Sequence, residues 1–225
     1  MRIGIFGGSF DPVHLGHLWI GEAATEQLQL DRLLWVPSAT QPLKPAGPTA
    51  GDQQRLEMLR LAIAGRDGHQ VDPREIQRSG VSYTLDTVTQ LGDEYPAAEL
   101  FLIIGSDSLE SMPRWHQPKQ LLSRVTLSVV QRGGQGEIDF QVLQGMVDRQ
   151  RIDQFSAAVI QMPVIEISSR DIRSRVGQGR GIRYRVTRAV EAYIDAEGLY
   201  RSDDDHERVS APSRRMERAN HKRDP

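Results

Sequence analysis

Two histidines, His14 and His17, stand three residues apart behind a glycine pair in the stretch Gly7-Gly8-Ser9-Phe10-Asp11-Pro12-Val13-His14-Leu15-Gly16-His17. Glycines at the end of a strand permit positive φ and a close backbone approach, so amides from Gly8 through Ser9 to Phe10 can face an anion. A helix opening directly afterwards adds its free N–H groups and the positive end of its dipole. The segment is a phosphate site by construction, yet it is neither G-x-x-x-x-G-K-[ST] nor G-x-G-x-x-G. At i, i+3 both imidazoles project from one side of the helix start. There they can donate to a polyphosphate without a permanent charge, and one can be protonated when phosphate is bound. Gly16 between them leaves room for a planar base or ribose. Zinc is a weaker reading, because no third ligand stands at a recognisable spacing. Asp11 reads as an Asx-type residue fixing the turn.

These residues need a frame that points them at one place. Arg2–Phe6 reads as a short buried strand, and Leu15 to about Leu28 has helical spacing. Leu33–Val36 is a second strand ended by Pro37. The segment Ser38–Gly51, with three prolines and two glycines, is a loop long enough to be functional. Asp52 is a plausible N-cap for a helix to about Ala64. Then come a strand near Gln70–Asp72, a loop over Arg78–Ser82 and a helix from about Thr84 to Leu91. Glu99–Ile104 is a buried strand stopped by Gly105, and Val125–Val130 another, followed by Arg132-Gly133-Gly134. Ala157–Ile160 and Val164–Ile167 are candidate short strands around Pro163. One helix begins after Ser168-Ser169 and ends near Gly177; the other covers roughly Val186–Ala196 with Gly198 as its C′ residue.

Strands alternating with helices predict an α/β, Rossmann-like, doubly wound and mostly parallel sheet with helices on both faces. Ligands of such sheets bind beyond the carboxyl ends of the strands, at the switch point. The glycines after Phe6 and Ile104 fall at such ends. The domain is expected to span residues 1–201. Residues 202–225 hold six acids and six Lys/Arg with almost no large apolar side chain, a composition that predicts disorder.

The 225 residues carry 38% hydrophobic and 26% charged side chains and a formal charge of −2, without the basic excess of a general nucleic-acid binder. There is no cysteine, which excludes disulfides, thiolate metal sites and a cysteine nucleophile, and fits a reducing compartment. The N-terminal apolar run is too short for a signal peptide, and no apolar stretch reaches the roughly 18–20 residues of a membrane span. A cytoplasmic protein without nucleic-acid or membrane partners is expected, with homo-oligomerisation left open.

A second cluster lies at Ile167-Ser168-Ser169-Arg170-Asp171-Ile172-Arg173. Hydroxyls and free amides at a helix N-terminus suit phosphate oxygens, and Arg173 one turn in can reach outer phosphates. A capping box with Ser168 as N-cap and Asp171 at N3 reads equally well, and leaves Ser169 and Arg173 free.

GGSFDPVHLGH resembles the signature of the nucleotidylyltransferase superfamily, whose hallmark is His-x-Gly-His at the start of the first helix. The resemblance implies a Rossmann-like fold and nucleotidyl transfer without a covalent enzyme intermediate. Ile167–Arg173 looks like that superfamily's I-S-S-x-x-[IL]-R element. Within it, Pro37 to Lys44, Ser82-Tyr83-Thr84-Leu85-Asp86-Thr87, Ile104-Gly105-Ser106-Asp107-Ser108-Leu109, Trp115 and the ending Val190–Tyr200 resemble the nicotinate-nucleotide adenylyltransferase family of bacterial NAD synthesis. By that likeness Thr84 bonds the nicotinate carboxylate, Trp115 stacks on the pyridine, and Asp107 lies near the adenosine or ribose. Ser9 contacts both substrates. Each has a plainer reading too: Trp115 a core aromatic, Thr84 an N-cap, Asp107 a cap of the short helix after Ile104, and Arg132 a loop residue beside its glycines. The family usually shows Pro-Pro-His-Lys where this chain has Gln41-Pro42-Leu43-Lys44. Lys44 can still present an ammonium to phosphate; Leu43 cannot hydrogen-bond.

The implied reaction is ATP plus nicotinate mononucleotide giving deamido-NAD and pyrophosphate. The attacking phosphate oxygen is already anionic, so alignment and charge stabilisation carry the catalysis. His14, His17, Lys44 and Arg173 fill that role, with Mg²⁺ riding on the ATP phosphates. Pantetheine-phosphate adenylyltransferases and cytidylyltransferases share the first motif. Tyr83-Thr84, Trp115 and His14 point away from them. Nicotinamide mononucleotide as acceptor and a non-catalytic nucleotide-binding module are further alternatives. Intact His14, His17 and Arg173 argue against the module.

Overall fold

The structure is a computed structural model that describes residues 1–39, 47–78, 80–134 and 136–201. Leu43, Lys44 and the charged segment 202–225 lie outside the described residues. Among those described, six strands form one sheet: β1 (Arg2–Gly8), β2 (Arg32–Pro37), β3 (His69–Val71), β4 (Glu99–Gly105), β5 (Thr126–Arg132) and β6 (Ile160–Met162). Every pairing is parallel and the order is β3-β2-β1-β4-β5-β6, the doubly wound arrangement expected.

Side-chain alternation along the strands builds two cores. Phe6, Leu33, Trp35, Phe101 and Ile103 face one side. There they meet α1 (Leu15–Gln27), α2 (Asp52–Ile63), α8 (Ser169–Gly177) and α9 (Arg188–Ala196) through Ile20, Met58, Ile172 and Val190. Ile3, Ile5, Leu34, Leu102 and Val129 face the other side. They pack against α4 (Thr84–Glu94), α5 (Ser106–Ser111), α6 (Pro118–Arg124) and α7 (Arg149–Ala157) through Val88, Leu109, Leu121 and Phe155. Each such large apolar side chain contributes roughly 1.5–3 kcal/mol when fully buried. The chain changes faces through α3 (Arg74–Arg78) and α4, so β1 and β4 are neighbours whose following segments diverge. Their carboxyl ends open the switch-point crevice.

Several local expectations need correction. Helix α2 is capped by Gly51 rather than Asp52, which instead pairs with Arg55 one turn on. Val164–Ile167 is not a strand: Pro163 has no N–H to give a ladder, and the Met162 carbonyl is taken by the Gly133 amide. Ala157 ends a helix, α7, whose N-cap Asp148 accepts from the Arg151 amide. The short α3, α5 and α6 carry too few residues for a periodic signal, although Pro118 at the start of α6 is a start signal.

Helix α1 lies close to the sheet because Gly21 has no side chain. A Cβ there would sit 2.7 Å from Trp35 Cζ2, in a ring held by Phe6 and Phe10. Gly21→Ala gains about 1 kcal/mol of helix propensity but overpacks this wall by roughly 1–3 kcal/mol. A net loss is expected, read as a lower urea midpoint at unchanged m-value.

Candidate active site

Gly7 and Gly8 do not take positive φ; they are the last residues of β1, and the left-handed residue of the turn is Phe10, at φ 47°. Phe10 can hold that conformation because its ring is fully buried, edge-on to Phe6 at 5.5 Å and to His17 at 5.1 Å. The ring lies against Gly8, where a Cβ would come within 2.9 Å of it. Gly8 therefore makes room for a protein side chain, while Gly7 faces open space.

Asp11 does more than close an Asx turn. Its carboxylate is 3% exposed and accepts from the amides of Thr49 (2.7 Å) and Ala50 (3.1 Å) and from the Tyr200 hydroxyl (2.7 Å). The Arg173 guanidinium lies 3.5 Å from the same carboxylate and donates to the Asp11 carbonyl at 2.6 Å. Beside it, the fully buried Arg55 donates to the carbonyls of Ser9 (2.8 Å) and Ser38 (2.7 Å) and to Asp52 (2.6 Å). The turn is thus clamped from below by α2, α8 and the C-terminal segment.

His14 is the N-cap of α1 and His17 its N3 residue, and the two form a reciprocal box. His14 Nδ1 accepts from the His17 amide and His17 Nδ1 from the His14 amide, each at 3.3 Å. The rings stack at 3.7 Å, 19° apart. A neutral ring whose Nδ1 accepts must carry its proton on Nε2, so both rings keep an Nε2–H donor. Burial and the positive charge of Arg132 lower the pKa of His14 to about 4. Burial, then His14 and Arg132, also lower that of His17 well below its ordinary value. Gly16 does not leave an open shelf. A Cβ there would lie 3.1 Å from the His14 ring, so the glycine accommodates the stack itself. The Leu15 amide is taken by the Arg185 carbonyl at 2.9 Å, which removes one of the helix-start donors.

A cavity of about 260 Å³ is lined by His14, Gly16, His17, Arg132, Ser168 and Ser169, with Ile20, Met162, Ile165 and Ile167 as its apolar wall. A larger hollow of about 540 Å³ is lined by Arg60, Arg66, His69 and Gln70, and there Arg60 is paired with Glu57 and Arg66 with Glu22. Ser168 caps α8 by accepting from the Asp171 amide at 3.1 Å; the Asp171 carboxylate turns instead to Arg185, at 3.2 Å. Ser169 and Arg173 are not free: the Ser169 hydroxyl donates to the Pro12 carbonyl at 2.8 Å, and Arg173 is held by Asp11. Arg132 ends β5 and belongs to the cavity wall rather than to a detached loop.

The other predicted residues lie elsewhere on the same sheet edge. Gly105 is the N-cap of α5 and Asp107 stands exposed in its first turn, so Asp107 is not the cap. Thr84 is the first residue of α4, whose N-cap is Tyr83. Trp115 is half-buried on the α4–α7 face, its Nε1 donating to Ser111 Oγ at 3.1 Å. The rings of Tyr83 and His116, 4.3 Å apart, hold the Thr84 and Trp115 segments together. Neither Thr84 nor Trp115 lines the histidine cavity. Arg55 and Tyr200 had no local signal, since their partners are far along the chain. Among the described residues no cluster of three His, Asp or Glu is placed to hold a metal ion, and no helix is long and apolar enough to cross a membrane.

A six-stranded doubly wound sheet with a paired-histidine helix start at the end of β1 defines a cytidylyltransferase-like protein, and that family's model matches residues 5–175. The chain is 50% identical to a protein of Rhodopirellula baltica named "Probable nicotinate-nucleotide adenylyltransferase", over 88% of this chain and 93% of that one. It is 43% identical to one of the same name from Gemmatimonas aurantiaca, over 97% and 100%. The fold matches the nicotinic acid mononucleotide adenylyltransferase of Plasmodium falciparum complexed with NaAD. The TM-score is 0.67 at 17% identity, over 88% of this chain and 97% of that one. The chain belongs to the nicotinate-nucleotide adenylyltransferase family.

The depressed histidines make a pH prediction. Unfolded imidazoles titrate near 6.5, whereas native His14 binds its proton only near pH 4. Between these values the unfolded chain holds more protons, so stability rises with pH and is lost as pH falls from 6.5 toward 4. Urea unfolding of the ligand-free enzyme across that window is expected to show this slope, and His14→Gln to lessen it by up to about 1.4 kcal/mol per pH unit. An unchanged slope in the variant would contradict the buried neutral imidazole.

Proposed function

We propose that the cleft bounded by His14, His17, Arg132, Ser168 and Ser169 binds ATP and that the enzyme moves its AMP group to nicotinate mononucleotide, releasing pyrophosphate. The observation that carries this reading is the reciprocal capping of the two histidines. It yields neutral rings with Nε2–H donors beside a helix N-terminus and a guanidinium, a preorganised set for charge developing on phosphate oxygens. Neutral donors suit this step because the nucleophile, an ionised phosphate oxygen, has no proton to surrender. It attacks the α-phosphorus, the bond to the β-phosphate oxygen breaks, and the electron pair leaves with pyrophosphate. A bound polyphosphate also raises the histidine pKa values, so His14 or His17 can take up a proton as charge builds.

The Gly8, Ser9, Phe10 and Gly16 amides, the Ser168 and Ser169 hydroxyls and Lys44 complete the polyphosphate contacts, with Gly7, Gly105 and Asp107 on the adenosine side. Arg173 acts as a cation one layer behind, bracing Asp11 while adding positive potential. Thr84 and Trp115 receive the pyridine. ATP enters as its magnesium salt, the ion held by phosphate and water. The lack of cysteine and the ATP requirement favour the cytoplasm. A homo-oligomer is compatible with this reading and is not required by it.

Pyrophosphate release, assayed with nicotinate and with nicotinamide mononucleotide, tests the acceptor; faster release with nicotinate mononucleotide is expected. Release with neither would overturn the transfer. His17→Ala removes one transition-state donor and is expected to lower kcat on the order of 10²-fold or more; a near-normal kcat would remove His17 from the mechanism.

A further inference from the structure

Tyr200 reaches the histidine turn from the far end of the domain. Helix α9 stops at Ala196, Gly198 reverses the chain at φ 62°, and the Leu199 amide closes the cap on the Ile194 carbonyl at 3.0 Å. Leu199 is buried in the core, and Arg201 donates to the Asp195 carbonyl, so this end of the chain is already fastened. Tyr200 nevertheless takes a second left-handed conformation, at φ 64°, which a residue with a Cβ rarely adopts. From there its hydroxyl donates to Asp11 Oδ1 at 2.7 Å and lies 4.0 Å from Met58 Sδ. An apolar anchor would need neither the strained backbone nor the hydroxyl.

The two oxygens of Asp11 divide their partners. Oδ1 accepts from Tyr200 and from the Ala50 amide; Oδ2 accepts from the Thr49 amide and lies 3.5 Å from Arg173 Nη1. So buried a carboxylate has little solvent to replace a lost donor. The backbone beside it is tied to α8, the Asp11 carbonyl accepting from Arg173 and the Pro12 carbonyl from Ser169. Val13 is buried, and His14 follows at once as the N-cap of α1. A shift of Asp11 is therefore carried through two residues to His14, whose Nδ1 must stay near the His17 amide to close the box. The phenol satisfies Oδ1 without placing another cation behind two neutral imidazoles. Burial and the Asp11 carboxylate push its pKa well up, so the proton stays on the oxygen that donates.

We propose that Tyr200 is a positioning residue for the transfer step: its hydroxyl sets Asp11, and through Asp11 and Pro12 it sets the reciprocal histidine pair. This rests on the reading of His14 and His17 as donors to the reacting phosphate. Tyr200 does not line the cleft, so its effect falls on the alignment of those donors rather than on substrate contact.

Tyr200→Phe removes the hydroxyl and keeps the ring. Loss of one bond to a buried carboxylate, felt in the barrier, corresponds to about tenfold in rate. Accordingly kcat is expected to fall about tenfold, with KM for ATP and for nicotinate mononucleotide each within about twofold. Leu199→Ala is the stability control, with the milder Leu199→Val should it not fold. It removes core packing one residue earlier, and is expected to lower the melting temperature at least as far while leaving kcat within about twofold. In ¹H–¹⁵N spectra of the imidazoles, Tyr200→Phe is expected to shift the His14 and His17 signals and the Leu199 variant to leave them in place. Combined with His17→Ala, it is expected to cost less than the product of the two single losses. An unchanged kcat, an equal loss in the Leu199 variant, unmoved histidine signals or a full product of losses would overturn the proposal. Should Tyr200→Phe itself unfold, the bond carries stability rather than alignment and the proposal fails. His17→Ala separates the two layers: a near-normal kcat there defeats the donor reading, whereas a low kcat there beside a normal one in Tyr200→Phe defeats only the role of Tyr200.

Discussion

The carboxylate of Asp11 is the interaction on which the site depends. It sits inside the protein beneath the Gly7–His17 turn and accepts from two amides after the long loop and from Tyr200 near the C-terminus, with Arg173 of α8 alongside. A buried carboxylate costs several kcal/mol of desolvation unless its oxygens are satisfied, and here each oxygen has a partner from a distant segment. That requirement ties the turn, Thr49 and Ala50, Tyr200 and α8 together. Removing a partner would leave a buried charge to be compensated by movement of the turn itself.

Arg55 repeats the logic with opposite sign. Its guanidinium, wholly buried, collects the carbonyls of Ser9 and Ser38, which belong to the ends of β1 and β2. Asp11 and Arg55 together fix the turn from behind, one through its carboxylate and the other through the Ser9 carbonyl. The histidine stack then adds the front of the site without help from a fixed charge, since each ring caps the helix for the other.

These arrangements explain why motif residues differ from their expected roles while staying where they were expected. Gly8 and Gly16 are needed for contact with Phe10 and His14, not for φ or for ligand space. Ser169 and Arg173 hold the turn through the Pro12 carbonyl and Asp11. The motif is a packing unit as well as a cleft wall, so its residue types are constrained from both sides.

Local information settled a good deal. Short apolar runs with glycine or proline stops located β1, β2, β4 and β5, and the cap at Ser168 and the C′ glycine at Gly198 marked the last two helices. The paired histidines marked the cleft at the end of β1, and the spaced motifs pointed to the nicotinate-nucleotide adenylyltransferase family. All of these depend on neighbours within a turn or a strand, which a sequence displays directly. Short α3 and α6 escaped because five to seven residues cannot show a period, whereas a short helix after Ile104 was expected and is α5. The partners of Asp11, Arg55 and Tyr200, and the place of Arg132 in the cavity wall, were decided only by the tertiary structure. Their partners lie up to 189 residues away, and a buried charge declares its partner only when folding brings the segments together.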